Sequence, residues 1–286
     1  MDILQKQKRA NFETRDRFAI YETHRKKSTE LILSRCSCGK ILIIGAGNCN
    51  DVDLTTLCEH FEQVHLLDID EDALRHGLRQ LGSTPPNNVF LHIEDVTQIL
   101  PAYQEMIEKP YSSTIRRTME RLSSLSFPSL PYLKESFNIV VSQCLLSQLV
   151  HPAVELWRKE LNPSTNKLLK NFVHALSASH LKEMASYLSK GNIGIVITDV
   201  VSSDDVGHPI SEPQSILEQC YFDQQSDFHG SNLLGTNLVA VYNDFRKELS
   251  KIIRLEVHKP TLAPSWKWIF SEAREYIVQA FVFQRI

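Results

Sequence analysis

The stretch ILIIGAGNCNDVDL, residues 41–54, decides the fold. Four apolar residues lead directly into Gly45 and Gly47, and two aspartates then open a segment with a helical pattern. Gly45 permits a tight turn, and Gly47 lets the backbone approach a ligand closely because it has no Cβ. A strand, a glycine turn and a helix in this order predict the first unit of an α/β sheet with a ligand at the turn.

Apolar runs and helical patterns continue to alternate along the chain. A parallel strand buried on both faces reads as an unbroken apolar run, so the pattern predicts a mostly parallel sheet with helices on both faces. The runs 251–260 and 274–286 are separated by too few residues for a crossover helix, and they predict a C-terminal antiparallel strand pair. Five further strands are predicted at 40–44, 64–67, 89–93, 137–143 and 193–201, so the sheet has seven strands with the C-terminal pair. The predicted helices are 51–61, 71–81, a region around 145–160, and 166–190.

Two segments lie outside this alternation. Residues 1–37 are charged, with an apolar residue every three or four positions over much of their length, and they predict an N-terminal helical arm or lid. Residues 110–136 are rich in serine and proline and predict an insertion, because long connections in compact domains tend to be lids or disordered segments. The predicted organisation is therefore an arm at 1–37 and one domain at 38–286.

The composition disfavours several classes of protein. The chain of 286 residues has a net charge of -3 and a pI near 6.4, so a nucleic-acid partner is disfavoured. No apolar run approaches the roughly 20 residues that span a bilayer, and no signal peptide is evident, so we expect a cytoplasmic protein without a membrane segment. The six cysteines contain no C-x-x-C pair, so neither a metal site nor a disulfide framework is predicted.

The ends of the predicted strands indicate the ligand. Asp68 ends the second strand, where a carboxylate can accept hydrogen bonds from both hydroxyls of a ribose. Asp95 ends the third strand and can accept a hydrogen bond from the exocyclic amine of an adenine. A dinucleotide loop would place its third glycine at position 50, but Asn50 stands there, and Asp51 would repel a pyrophosphate. A ribose and an adenine without a pyrophosphate describe S-adenosylmethionine.

At this point the chain resembles a known family. The segments ILIIGAGNCND, VHLLDIDEDAL, VFLHIEDV and FNIVVSQCLLSQL follow one another in the order of motifs one to four of the class I, Rossmann-like S-adenosylmethionine-dependent methyltransferases. The resemblance covers residues 38–200 by motif and extends to residue 286 by topology. It implies a Rossmann-like α/β fold and S-adenosylmethionine as the cofactor.

The resemblance also implies which residues hold that cofactor. The turn would line the methionine and ribose end, the second strand the ribose, the third strand the adenine, and the end of the fourth strand would face the ligand. In that order the residues are Gly45, Ala46, Gly47 and Asn48; Asp68 and Ile69; Asp95 and Val96; Ser142 and Gln143. Two positions depart from the family pattern: Cys49 replaces the third glycine of G-x-G-x-G, and Ile43 replaces the acidic residue two positions before the first glycine.

The acceptor chemistry has fewer signals. Methyl transfer is an in-line displacement that needs positioning, and it needs a base only if the acceptor must lose a proton. His208, on a loop after the fifth strand, is the histidine best placed to be that base, although an ordinary turn histidine before proline is an equal interpretation. Tyr21 and His24 could cap the cofactor, and Trp266 and Trp268, with Phe270, could form an aromatic wall near the substrate. His180 falls on the apolar stripe of the long helix and is predicted to be a packed core histidine.

The acceptor itself is not encoded in a recognisable motif. Residues SQCL follow the fourth strand where Asn-Pro-Pro-Tyr would indicate an amide or adenine nitrogen, so that acceptor class is disfavoured and a small molecule or protein is expected. Cys49, Ile43 and the insertion keep a catalytically inactive binding module as an alternative. A nicotinamide-dependent oxidoreductase is a further alternative, against which Asn50 and Asp51 argue.

Overall fold

The computed structural model describes residues 3–109, 111–122, 130–134, 136–149, 163–225, 249–257 and 260–286. Its α-helices are α1 (Ile3–Thr14), α2 (Glu22–Arg35), α3 (Leu54–His60), α4 (Glu71–Gly77), α5 (Leu100–Glu108), α6 (Ser112–Leu122), α7 (Pro163–Tyr187), α8 (Ser203–Val206) and α9 (Pro213–Gln225). Its strands are β1 (Lys40–Ile44), β2 (Gln63–Asp68), β3 (Val89–Ile93), β4 (Phe137–Gln143), β5 (Leu188–Ser202), β6 (Ile253–Leu255), β7 (Ser265–Ser271) and β8 (Arg274–Arg285).

All eight of these strands belong to one sheet of order β3-β2-β1-β4-β5-β8-β6, with β7 also paired to β8. The strands β1 to β5 are parallel, and β8 runs antiparallel to β5 and β6. The order reverses between β1 and β4, which is the point where open α/β sheets bind their ligands. The predicted fold class is confirmed, including the antiparallel pair at the C-terminal edge.

The sheet has one strand more than the seven predicted. Strand β7 pairs with the first half of β8, from Ser265 opposite Gln279 to Ser271 opposite Arg274. Strand β6 pairs with the other end of β8, from Ile253 opposite Arg285 to Leu255 opposite Phe283. The long strand β8 thus carries two short strands on one edge, an arrangement that the length of the apolar run 274–286 did not reveal.

The sheet is buried on both faces, as its unbroken apolar runs require. Alternate residues of β1 enter different cores, because successive side chains of a strand point to opposite faces. Leu42 and Ile44 pack in the core beneath α7, whereas Ile41 and Ile43 pack on the other face with α2 and α3. A third cluster joins α5, α6 and α7 around Tyr103, so the helix of the predicted insertion is packed against the domain.

The helix boundaries differ from the predicted ones for local reasons. Helix α3 begins at Leu54 instead of residue 51, because the Asp53 side chain accepts a hydrogen bond from Thr56 N and forms the N-cap. Helix α7 ends at Tyr187, where β5 begins. Most of the predicted helical region around 145–160, and residues 123–129 of the predicted insertion, lie outside the described residues. The division into an arm at 1–37 and a domain at 38–286 stays a prediction.

Within the described ranges, no helix combines the length and the apolar character that crossing a membrane requires.

Candidate functional site

The carboxyl ends of the strands surround a cavity of about 500 Å³ at the switch point of the sheet. A cavity of this size is in the range that holds cofactor-sized ligands. The turn after β1, the ends of β2, β4 and β5, the start of β8 and part of β7 line it, and α1 contributes a further wall. Of the residues that the motifs predict, this cavity gathers Gly45, Ala46, Gly47, Asn48, Asp68 and Gln143.

The turn after β1 needs both of its glycines. Gly45 has a φ of +76°, and a Cβ there would lie 2.9 Å from the Leu145 Cβ and 3.1 Å from the Gln143 carbonyl oxygen. Gly47 has a φ of +47°, and its N–H donates a hydrogen bond of 2.8 Å to Asp68 Oδ2. The glycines therefore bring the turn against the end of β4 and bond it to the end of β2.

Cys49 stands where the pattern G-x-G-x-G has its third glycine, and the neighbouring helix α4 provides the space for it. It takes a left-handed φ of 54° and is buried. A Cβ on Gly77 of α4 would lie 2.8 Å from Cys49 Sγ and 2.9 Å from the Asn48 carbonyl oxygen. The glycine that allows close packing at this place thus belongs to the neighbouring helix instead of to the turn.

Asp68 is the acidic centre of the cavity. Its Oδ2 accepts from Gly47 N, and its Oδ1 accepts from Asp70 N at 3.0 Å. Burial raises the pKa of the Asp68 carboxyl, whereas these backbone hydrogen bonds act in the opposite direction. Asn11 of α1 reaches the same region, where its Nδ2 donates to Asp70 Oδ2 at 3.0 Å.

Helix α1 is held over the turn by side-chain hydrogen bonds. Asn48 Nδ2 donates to the Asn11 carbonyl oxygen at 2.7 Å, and Asn50 Nδ2 donates to the Thr14 carbonyl oxygen at 2.8 Å. The same two carbonyl oxygens also accept from Arg17 N at 3.0 Å and from Thr14 Oγ1 at 3.2 Å, so the amides add to the hydrogen bonds that close the end of the helix. Asn48 therefore contacts the cavity while its amide is used to fix α1.

A second, smaller pocket of about 90 Å³ lies beside the first and is lined by three more of the predicted residues. Ile69, Asp95 and Val96 line it, and Gly45 and Asp68 border both spaces. The Asp95 Oδ1 already accepts hydrogen bonds from Thr97 N at 3.0 Å and from Thr97 Oγ1 at 2.8 Å. The pocket is therefore next to the predicted ribose site, but one oxygen of Asp95 is used within its own loop.

Two predicted site residues do not reach the described cavities. The Ser142 side chain is fully buried, where its Oγ lies 2.8 Å from His180 Nε2, so it points to the face opposite its neighbour Gln143. His208 is exposed, and its Nδ1 lies 2.9 Å from the Pro209 carbonyl oxygen. The two predictions are therefore corrected: Ser142 is a core residue, and His208 is a turn histidine. His180, 0% exposed, is the predicted core histidine.

His24 is buried behind the cavity wall. Trp266 Nε1 donates to His24 Nδ1 at 2.9 Å, and Trp268 stacks on the imidazole with ring centroids 4.4 Å apart. The other ring nitrogen of His24, Nε2, lies 3.3 Å from Asp51 Oδ1 and 3.4 Å from Gln143 Nε2. Asp51 lines the cavity, so the histidine and the two tryptophans pack behind a carboxylate of its wall.

Four aromatic rings form a further part of the cavity wall. Trp268 lies 5.0 Å from Tyr21, 5.2 Å from Phe270 and 5.6 Å from Tyr276 between ring centroids. All four rings line the cavity. Of the three rings predicted for an aromatic wall, Trp268 and Phe270 line the cavity, whereas Trp266 is not among its lining residues and bonds to His24. Tyr276 was not predicted because it lies inside an apolar run that indicates only a strand.

Asp199, near the end of β5, is an acidic residue of the cavity lining that the motifs did not identify. It lines the cavity, and its Oδ1 accepts a hydrogen bond from Ser147 Oγ at 2.5 Å. Burial raises the pKa of the Asp199 carboxyl, which the bond from Ser147 partly offsets. Its place at a strand end was the available signal, since the ends of all parallel strands meet at the ligand edge.

The raised pKa of Asp199 gives a pH-dependent stability. The folded chain holds this proton more tightly than the unfolded chain does. The stabilising contribution is therefore complete below the unfolded pKa of about 3.9 and is lost as the pH rises through the higher folded pKa. We expect Asp199→Asn to increase the free energy of unfolding near pH 7, with a gain that shrinks toward pH 4. Urea unfolding across this range checks it, and a loss that is the same at every pH would contradict it.

Comparisons with known proteins give the following result. No protein-family model and no curated protein sequence matches the chain. Among solved structures, the chain is similar to an S-adenosylmethionine-dependent methyltransferase from Aquifex aeolicus, with 8% identity, a TM-score of 0.47 and 98% of each chain covered. A methyltransferase of the same kind from Methanosarcina mazei gives 14% identity and a TM-score of 0.44, covering 90% of this chain and 97% of that one. A third, from Leishmania major, gives 10% identity and a TM-score of 0.43, covering 93% of this chain and 73% of that one.

The class of fold follows from the strand order itself. The order β3-β2-β1-β4-β5 is that of a doubly wound Rossmann sheet, and the antiparallel strand β8 follows it at the edge. The chain therefore has a Rossmann-like α/β fold with an antiparallel C-terminal edge.

Proposed function

We propose that this chain binds S-adenosylmethionine at the switch point of the sheet and transfers its methyl group to an acceptor. One observation carries the proposal: the Gly47 N–H and the Asp68 carboxylate, joined by a bond of 2.8 Å, line the same cavity. A glycine turn and a carboxylate at this spacing are what a ribose with two free hydroxyls requires.

The charge of the cavity supports a cationic cofactor. Its lining contains five carboxylates, Asp51, Asp68, Asp199, Asp204 and Asp205, and two cationic side chains, Lys6 and Arg274. A sulfonium and an ammonium group are favoured in such surroundings, whereas a pyrophosphate is repelled. The N-terminus of α3, where a dinucleotide loop would bind phosphate, is capped by the Asp53 side chain. These features disfavour the nicotinamide-dependent alternative.

The residues present fit the parts of this cofactor. Gly45, Gly47 and Asp68 would hold the ribose, and the second pocket beside Ile69 and Val96 would take the adenine. Asp51, supported by His24, would supply the carboxylate near the amino acid end that Ile43 does not provide. When bound, the cofactor supplies a methyl group on a positively charged sulfur, which makes that carbon open to attack.

The chain's own contribution is positioning and exclusion of water. The turn after β1 is fixed by its bond to Asp68 and by its hydrogen bonds to α1. The aromatic wall and α1 would cover the reacting atoms, which favours a short, aligned approach of the acceptor. The acceptor belongs to the small-molecule or protein classes that the sequence leaves open.

Calorimetric titration of the purified chain tests the proposal. We expect S-adenosylmethionine and S-adenosylhomocysteine each to bind saturably at one site, whereas NADH does not bind at the same concentrations. Transfer of the methyl group would appear as formation of S-adenosylhomocysteine in the presence of an acceptor. Failure of both adenosyl compounds to bind would refute the proposal, and binding without turnover on any acceptor would favour a catalytically inactive module.

A further inference from the structure

We infer that the methyl acceptor is a small amine, bound between Asp199 and the aromatic rings of Trp268, Phe270 and Tyr276. The inference rests on the proposed function and concerns the same cavity, at the end away from the adenine pocket. It rests on the position of Asp199, on the four rings that line the cavity, and on the balance of charges around them.

The order of the strands separates a cofactor end from an acceptor end. Most of the predicted cofactor residues lie at the ends of β1, β2 and β3, with Gln143 at the end of β4, whereas Asp199 lies on β5, two strands from β1 in the sheet. Neighbouring strands lie about 4.8 Å apart, so the end of β5 is roughly 10 Å from that of β1. Asp199 and Tyr276 are therefore outside the reach of the ribose site and free to contact a second molecule.

Aromatic rings with a buried carboxylate are a favourable environment for an ammonium group. A cation is attracted to the face of an aromatic ring, more strongly when both are shielded from water. The cluster already binds one cation of the chain, because the Arg17 guanidinium lies 5.0 Å from the Phe270 ring centroid. Trp268 lines the cavity and is only 6% exposed, so its ring is largely shielded from water.

The same charges disfavour the other common acceptors. A carboxylate or phosphate acceptor would meet Asp199 and the other acidic groups of the lining with few cations to balance them. An amine, protonated in solution, brings the opposite charge to the same acidic groups.

The proposed step balances in atoms and charge. The ammonium form of the acceptor first gives one proton to the Asp199 carboxylate. The nitrogen lone pair then forms a bond to the methyl carbon while the bond between that carbon and the sulfonium sulfur breaks, and its electrons stay on sulfur. The products are the methylated ammonium ion and neutral S-adenosylhomocysteine, and Asp199 returns its proton to solvent.

Matched probes test the inference. The chain is first saturated with S-adenosylhomocysteine, and 2-phenylethylamine, 2-phenylethanol and phenylacetate are then titrated separately. We expect the amine to bind at least about 10-fold more tightly than the alcohol, and the carboxylate to bind least. Asp199→Asn should remove most of the amine's advantage and leave the affinity for S-adenosylhomocysteine unchanged. Asp16→Asn, at an exposed carboxylate away from the cavity, is the control and should change neither affinity.

The outcomes separate the two proposals. If S-adenosylhomocysteine binds but the alcohol binds as well as the amine, or the carboxylate binds best, the inference about the acceptor is wrong and the cofactor site stands. Binding of a lysine-containing peptide without binding of any small amine would also overturn it, in favour of a protein acceptor. If S-adenosylhomocysteine itself does not bind, the proposed function fails first.

Discussion

Asp68→Asn is expected to raise the dissociation constant for S-adenosylhomocysteine by about 10- to 100-fold. The substitution keeps the size of the side chain but removes the charge that would accept hydrogen bonds from the ribose. A hydrogen bond to a charged group contributes about 1.5–3 kcal/mol, and about 1.4 kcal/mol corresponds to a tenfold change in affinity. Isothermal titration calorimetry of the wild type and the variant measures the change.

Two controls make this result specific. Asp72→Asn, four residues further along on the exposed side of α4, should bind the ligand as the wild type does. In Asp68→Asn the amide oxygen can still accept from Gly47 N, but the NH2 group replaces the oxygen that accepts from Asp70 N, so circular dichroism and the unfolding midpoint are measured to show that the variant is folded. Unchanged affinity in a folded Asp68→Asn variant would place the ribose elsewhere and remove the observation on which the proposed function depends.

The sequence predicted several residues of the cavity lining because these residues belong to local patterns. The glycine turn, Asp68 and Gln143 each follow directly from a recognisable strand, and the parallel sheet brings strand ends together without further information. The prediction that Ser142 faces the ligand was wrong, although the next residue, Gln143, lines the cavity. Successive side chains of a strand point to opposite faces, and an apolar run that is buried on both faces does not indicate which side chains face the cavity. The side chains of β1 show the same alternation between two cores.

The aromatic wall and the residues behind Asp51 could not be predicted because they depend on distant contacts. His24 and Trp266 are 242 positions apart, yet they form the hydrogen bond that fixes the imidazole beside Asp51. Tyr276 reaches the cavity only because β8 returns along β5 in the opposite direction, and its register is set by pairing over the whole strand. The period-two pattern of a strand and the 3.6-residue pattern of a helix contain no information about such long-range contacts. Cys49 is a similar case, since the space it needs is created by Gly77 on another element.

Gly194→Ala is expected to destabilise the fold by about 2–3 kcal/mol, because it overpacks the sheet where β5 meets β8. Gly194 lies directly opposite Phe283, and a Cβ at Gly194 would lie 2.0 Å from the Phe283 ring. Phe283 is fully buried in the core, so its ring cannot swing into solvent. Urea unfolding followed by circular dichroism measures the loss.

A double-mutant cycle shows whether the loss has this cause. Phe283→Leu alone should destabilise the chain through the volume it removes, but Leu leaves room for the new methyl group. The double variant Gly194→Ala/Phe283→Leu should therefore be more stable than the sum of the single changes predicts, by about 1 kcal/mol or more. Additive effects, or a Gly194→Ala variant as stable as the wild type, would mean that β8 pairs with β5 in another register. Tyr276 would then not stand opposite Ser202, and the aromatic wall proposed to hold the acceptor would be misplaced.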